Sequence, residues 1–215
     1  MNMNLELLVL LGILTCGFAM VAAKRMSALI GNFRLQSFFL CLLTVIEAAK
    51  GNYVELYIVA GLILILKVIG IPYFMTRIMK TMKVGENLGF IIGPQLSLVV
   101  GLLLTYLSYV FAGRVFADLE MLGRLFTAIS FATILIGMFI LVSRLKALAQ
   151  VLGLLVMENG IFLLAAAVAG GMPFLVEMAI FFDVFVSVVI FGLFVYRINE
   201  LFTGIDVDQL NRLRG

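Results

Sequence analysis

Seven apolar segments, each long enough to cross a bilayer, take up most of this chain: residues 4–23, 27–49, 53–76, 88–112, 124–143, 147–169 and 174–196. A hydrocarbon core about 30 Å thick needs about 20 helical residues to span it. Backbone N–H and C=O groups in lipid must bond within the chain, so each segment is predicted to be a helix. The short apolar–polar alternation of a transmembrane β-barrel is nowhere present. With 64% hydrophobic and 13% charged residues, there are too few charges to cover a water-facing surface. The expectation is an all-α, polytopic membrane protein of about seven transmembrane helices.

Basic residues in the connections predict the orientation. One side holds Lys24, Arg25, Arg34, Arg77, Lys80, Lys83, Arg144, Lys146, Arg197, Arg212 and Arg214; the other holds Lys50, Arg114 and Arg124. The N-terminus is therefore expected outside and the C-terminus in the cytoplasm, as an odd number of spans requires. The leading residues, MNMNLE, carry an acid and lack a basic region, so the first segment is expected to be retained rather than cleaved. The outward connection 113–123 is a natural divide. It separates a four-helix part, 1–115, from a three-helix part, 116–199, followed by a cytoplasmic tail, 200–215. That tail is either a frayed terminus or a docking segment for a cytoplasmic partner.

The chemistry is concentrated in a few intramembrane polar groups. Glu158 lies twelve residues before Gly170, and Asp183 ten residues after Pro173, on two spans joined by a Gly-Gly-Met-Pro turn. At helical rise both acids fall about 15–18 Å from the same membrane face, near the midplane. An acid at that depth costs about 2.5–3.5 kcal/mol on insertion scales, so two at matched depth point to an ion path. The competing reading is a pair of structural acids, permanently neutral and bonded to neighbouring helices. Asn159 gives Glu158 a polar neighbour, and Gly160 a close-packing position. Lys67, inside the third span, has two readings. It snorkels to the interface, helped by a bend at Gly70 and Pro72, or it is a buried counter-charge for an acid on an adjacent helix. Glu47 and Glu177 lie near the outward ends as interface acids or as an entry or exit. Gln36, Ser37, Gln95, Ser97, Thr105, Ser130, Thr133 and Ser187 read as interhelical hydrogen-bonding groups.

Several classes are excluded. Histidine is absent and the two cysteines, Cys16 and Cys41, lie in apolar segments, so no metal site or disulfide framework is expected. No nucleophile–base pair or phosphate-binding loop is present; the segment GENLGF, 85–90, lacks both the preceding strand and a lysine in register. Catalytic, cofactor and metal residues are all expected to be none, and the chain alone is not expected to be an enzyme. The net charge of +3 is scattered through short connections and does not indicate nucleic acid.

Five stretches carry a family resemblance: LVMENG (155–160), LVEMAIFFD (175–183), IDVDQLNRLRG (205–215), KVIGIPYFMTR (67–77) and LQSFFL (35–40). They closely resemble the component E subunit of hydrogenase-4-type membrane complexes. The last three spans are also similar to the small three-helix K subunit of respiratory complex I. In that wider family the second-helix acid commonly stands at the position of Leu155; Glu158 is about one turn further on, on nearly the same face. The third-helix acid corresponds to Asp183. Relatives often carry a histidine near the position of Phe162, so no histidine relay is expected here. The resemblance implies an inner-membrane subunit of an energy-converting complex. Electron transfer in iron–sulfur and nickel–iron proteins on other chains would drive proton or sodium translocation. Its partners would be antiporter-like subunits and those anchoring the peripheral arm, with Glu158, Asp183 and Lys67 in the path. The alternatives are a structural scaffold of the same complex and the small subunit of a multisubunit cation/proton antiporter.

Overall fold

A computed structural model describes residues 3–51, 54–81, 86–89 and 91–169. The expected seventh span, with Glu177 and Asp183, and the tail lie outside the described residues. The helices are α1 (Met3–Ala22), α2 (Met26–Gly51), α3 (Val54–Ile63), α4 (Ile71–Thr81), α5 (Pro94–Val115), α6 (Met121–Ser143) and α7 (Ala147–Ala169), with a π-helical segment, Leu64–Gly70, joining α3 to α4. By length and composition they make six spans able to cross a membrane, with α3, the π segment and α4 forming one, Val54–Lys80. The only β pairing among the described residues is an isolated bridge between Arg25 and Asn87. The chain is an all-helical, multi-pass membrane protein.

Helix α2 is the hub, packing on α1, on all of the third span and on α7, while α6 lies along α7 and also touches α1 and α5. In lipid no hydrophobic stripe drives this association, so small residues that admit close backbone approach decide it. A Cβ on Gly153 would stand 2.6 Å from the Leu141 nitrogen, and one on Gly160 2.7 Å from the Ile134 nitrogen. Helices α6 and α7 therefore meet backbone to backbone. Helix α5 follows the same rule with a narrower contact: it buries Ser97, Gly101, Ser108 and Ala112 and turns Leu96, Val99, Leu103 and Tyr106 outward.

One end of the bundle is tied by its connections. The Met26 nitrogen donates to the Glu86 carbonyl, Leu88 to Lys24, and Ile91 to Ser143. This pairing holds 86–89 and 91–93 outside the helices, and Gly89 adopts the left-handed region with φ 65°. The fourth span, expected from residue 88, therefore starts at Pro94, whose fixed φ and missing N–H suit the first helical position. Arg144 completes the lock. It is buried, and its Nη2 donates to the carbonyls of Val21 at 2.6 Å and Met20 at 3.3 Å, capping the C-terminus of α1. Burial pushes its guanidinium down to about 10, so it stays charged at neutral pH.

Candidate functional site

The third span carries the local irregularity on which the site depends. An α-helix through this region would need a Pro72 N–H to bond the Val68 carbonyl, and proline has none. The chain widens by one residue per turn instead: the Ile71 N–H reaches the Leu66 carbonyl, one residue beyond the α-helical partner. Such π segments re-aim side chains and recur at functional sites. Lys67 sits in this segment, thirteen residues from either end of Val54–Lys80. It is buried, 1% exposed, and points into the bundle. Of the two positions open to it from sequence, the structure shows the interior one.

Lys67 Nζ donates to Asn159 Oδ1 at 3.0 Å and stands 3.6 Å from Glu158 Oε2. Glu158 is the middle residue of α7, so both charges lie at mid-span. From Asn159 the network continues to α2: Nδ2 donates to Ser37 Oγ at 3.2 Å and to Gln36 Oε1 at 3.4 Å. Gln36 Nε2 in turn donates to the Ile13 carbonyl of α1 at 3.2 Å. All five side chains are at most 2% exposed. Four spans thus converge on one polar network. Ser130 and Thr133 of α6 are buried too, but their hydroxyls bond back to the carbonyls of Phe126 and Ile129. Leu155, one turn before Glu158, is fully buried.

A second charged cluster lies at the C-terminal end of α2. Lys50 Nζ stands 2.6 Å from Glu6 Oε1 and 3.0 Å from Glu47 Oε1. Glu47 is half-buried there, whereas Glu6 is buried on the face of α1 that also presents Val9, Leu10 and Ile13. Glu6 is not among the expected site residues; the sequence uses it only as the acid that sets the leading residues apart from a signal peptide. Its i, i+3, i+4, i+7 spacing to those apolar residues is the signal that finds it. Ten residues of α2, about 15 Å, separate Ser37 from Glu47. Across that interval α2 buries Leu40, Cys41, Leu43 and Thr44, and the polar atoms of Cys41 and Thr44 bond the carbonyls of Ala60 and Leu40.

An ion pair in this setting is weak evidence of a stabilising role. Each charge costs about 2.5–3.5 kcal/mol at mid-membrane, and a well-packed apolar replacement of a buried pair is often neutral or stabilising by about 1–4 kcal/mol. A carboxylate beside an ammonium can hold and release a proton, and the amide and hydroxyl next in line orient the ammonium. Among the described residues no group of three or more metal-binding side chains occurs.

These features define a multi-pass membrane protein with a buried charge network at mid-span. The chain is similar to hydrogenase-4 component E of Escherichia coli strain K12, with 26% identity over 151 residues, 70% of this chain and 70% of that protein. The same match is found to hydrogenase-4 component E of Shigella flexneri. It is also 35% identical to the uncharacterised protein Rv0085 of Mycobacterium tuberculosis over 85 residues, 40% of this chain and 39% of that protein. No family model matches the chain. No solved structure matches it either.

Proposed function

We propose that this chain is an inner-membrane subunit of an energy-converting complex related to hydrogenase-4-type and complex I-type assemblies. It lines a path for protons, or sodium ions, driven by electron transfer in other subunits. The observation that carries this reading is the Lys67–Glu158 pair, 3.6 Å apart, buried at mid-span and extended through Asn159 to Ser37 and Gln36. The distant likeness to hydrogenase-4 component E supports the class of complex.

In this reading Glu158 holds an exchangeable proton, and Lys67 is the neighbouring charge that makes its affinity switchable. A shift of the ammonium toward Asn159 weakens its hold on the carboxylate and favours proton uptake; its return favours release. Asp183 is the second acid of the path, and the Glu6–Lys50–Glu47 cluster faces its outer mouth. The basic end of the bundle faces the cytoplasm. The four-helix part, 1–115, and the three-helix part, 116–199, each contribute one side of the network, through Lys67 with Ser37 and through Glu158 with Asn159.

A scaffold reading also has an observation in its favour: Asn159 ties α7 to α2 and to the third span through hydrogen bonds alone. Subunit membership is tested by purifying the chain in mild detergent from its native membrane and identifying every co-purifying subunit by mass spectrometry. Antiporter-like and peripheral-arm anchoring subunits are expected. A stable lone chain that transports ions in liposomes would overturn the proposal.

A further inference from the structure

Arg34 lies in the third turn of α2, eight residues beyond Met26, about 12 Å along the helix from its basic end. Sequence grouped it with the bases of the connections; the structure puts it inside a span, exposed on the outside of the bundle. Among the described residues no acid forms an ion pair with it. An arginine facing lipid at that depth needs an anion or a route to the interface.

The surface beside it supplies a built groove. Ser27, Ile30, Gly31 and Arg34 of α2 form one wall, and Ile69, Pro72, Tyr73 and Thr76 of the third span form the other, around a volume of about 400 Å³. Ser27, Gly31 and Arg34 follow the i, i+4, i+7 spacing of a single helix face, so the groove runs from Arg34 toward the basic end. Gly31 keeps it open: nothing lies within 4 Å of the place a Cβ would take. Ile30 and Pro72 make a buried apolar floor, while Ser27 and Tyr73 bring exposed hydroxyls to the rim. At the mouth stand exposed Lys24, Arg25, Arg77 and Lys80 against one acid, Glu86.

We propose that this groove binds an anionic phospholipid, with Arg34 reaching along the groove to a headgroup phosphate held at Ser27 and Tyr73, the glycerol region over Ile30 and Pro72, and the acyl chains running past Ile69 toward mid-span. Charge complementarity selects the occupant. The groove offers several cations and hydroxyl donors to a phosphate, and basic pockets between helices at a membrane face suit anionic headgroups. Its lateral opening to lipid and apolar floor suit the tails. The site is independent of the ion-path reading.

The test is native mass spectrometry on the full chain, purified with its co-purifying subunits, delipidated and titrated with phosphatidylglycerol or phosphatidylcholine. Phosphatidylglycerol is expected to bind more tightly. Arg34→Gln is expected to weaken it about fivefold or more, as losing one cation near an anionic headgroup implies. Gly31→Leu fills the groove without touching a charge and is expected to weaken it similarly. Its open surroundings keep the test available should Arg34→Gln fail to fold. Arg114→Gln, at the opposite end of the bundle, is expected to leave binding unchanged. Equal affinity for the two lipids, or unchanged phosphatidylglycerol binding in both groove variants, overturns the proposal. Loss of a partner subunit from Arg34→Gln with lipid binding intact also overturns it, by assigning the groove to a partner's carboxylate.

Discussion

Replacing Lys67 by methionine isolates the contribution of the mid-span pair. The substitution keeps the length and apolar stem of the side chain and removes the 3.0 Å hydrogen bond to Asn159 and the 3.6 Å ion pair with Glu158. Breaking a buried pair from one side costs about 3–5 kcal/mol, because the remaining charge is left in a low-dielectric site. Adding Glu158→Gln removes that charge while keeping its volume, leaving mainly lost hydrogen bonds at about 1–2 kcal/mol. The two substitutions are therefore expected to be non-additive, with the double variant more stable than Lys67→Met alone by about 2–3 kcal/mol. The assay is reversible unfolding of the purified full chain in mixed micelles by rising dodecyl sulfate, for all four members of the cycle. Additivity within about 0.5 kcal/mol would refute the reasoning, since it would mean that the two charges do not feel each other.

Gly153→Leu is expected to destabilise the chain by at least about 1–3 kcal/mol in the same assay, because a Cβ 2.6 Å from the Leu141 nitrogen forces α6 and α7 apart. Arg144→Met leaves the Val21 and Met20 carbonyls without their buried donor and is expected to cost about 1–3 kcal/mol, with earlier hydrogen exchange at the end of α1 as the local readout. For orientation, a cysteine introduced by Asp208→Cys is expected to resist an impermeant thiol reagent applied to intact cells, and ready labelling would reverse the assignment.

The spans were legible because length and apolarity are the whole signal for a helix in lipid, and residues 147–169 were bounded correctly on that basis. The start of the fourth span was not, because residues 88–93 are apolar enough to read as helix. The pairing of Leu88, Gly89 and Ile91 with the other connections and the constraint of Pro94 decide otherwise. Gly70 and Pro72 were read as a bend; that Pro72 widens the preceding turn and aims Lys67 inward depends on α2 and α7 being beside it. Which spans touch is hidden in such a sequence. When both faces of a helix are apolar, no periodicity marks the packed side, and the glycines that do mark it are spread through every span. The depth of Arg34 and the burial of Arg144 are hidden for a related reason. A count of charges by side of the membrane records neither depth nor burial, and each of these residues is defined by one of the two. Glu158 and Asn159 were singled out because an acid and an amide in mid-span are conspicuous whatever surrounds them. Asp183 was singled out on the same ground and lies outside the described residues.

The ion-path claim is tested most directly by measuring ion pumping and electron transfer on the same preparation of the purified complex in proteoliposomes, with subunit stoichiometry as the control. Glu158→Gln keeps the shape and most of the hydrogen bonding of the side chain but cannot carry a proton. The account predicts an assembled complex that still transfers electrons and has lost most or all of its pumping, with Asp183→Asn acting in the same direction. Full pumping by the double variant, Glu158→Gln with Asp183→Asn, would contradict it and leave both residues as structural acids.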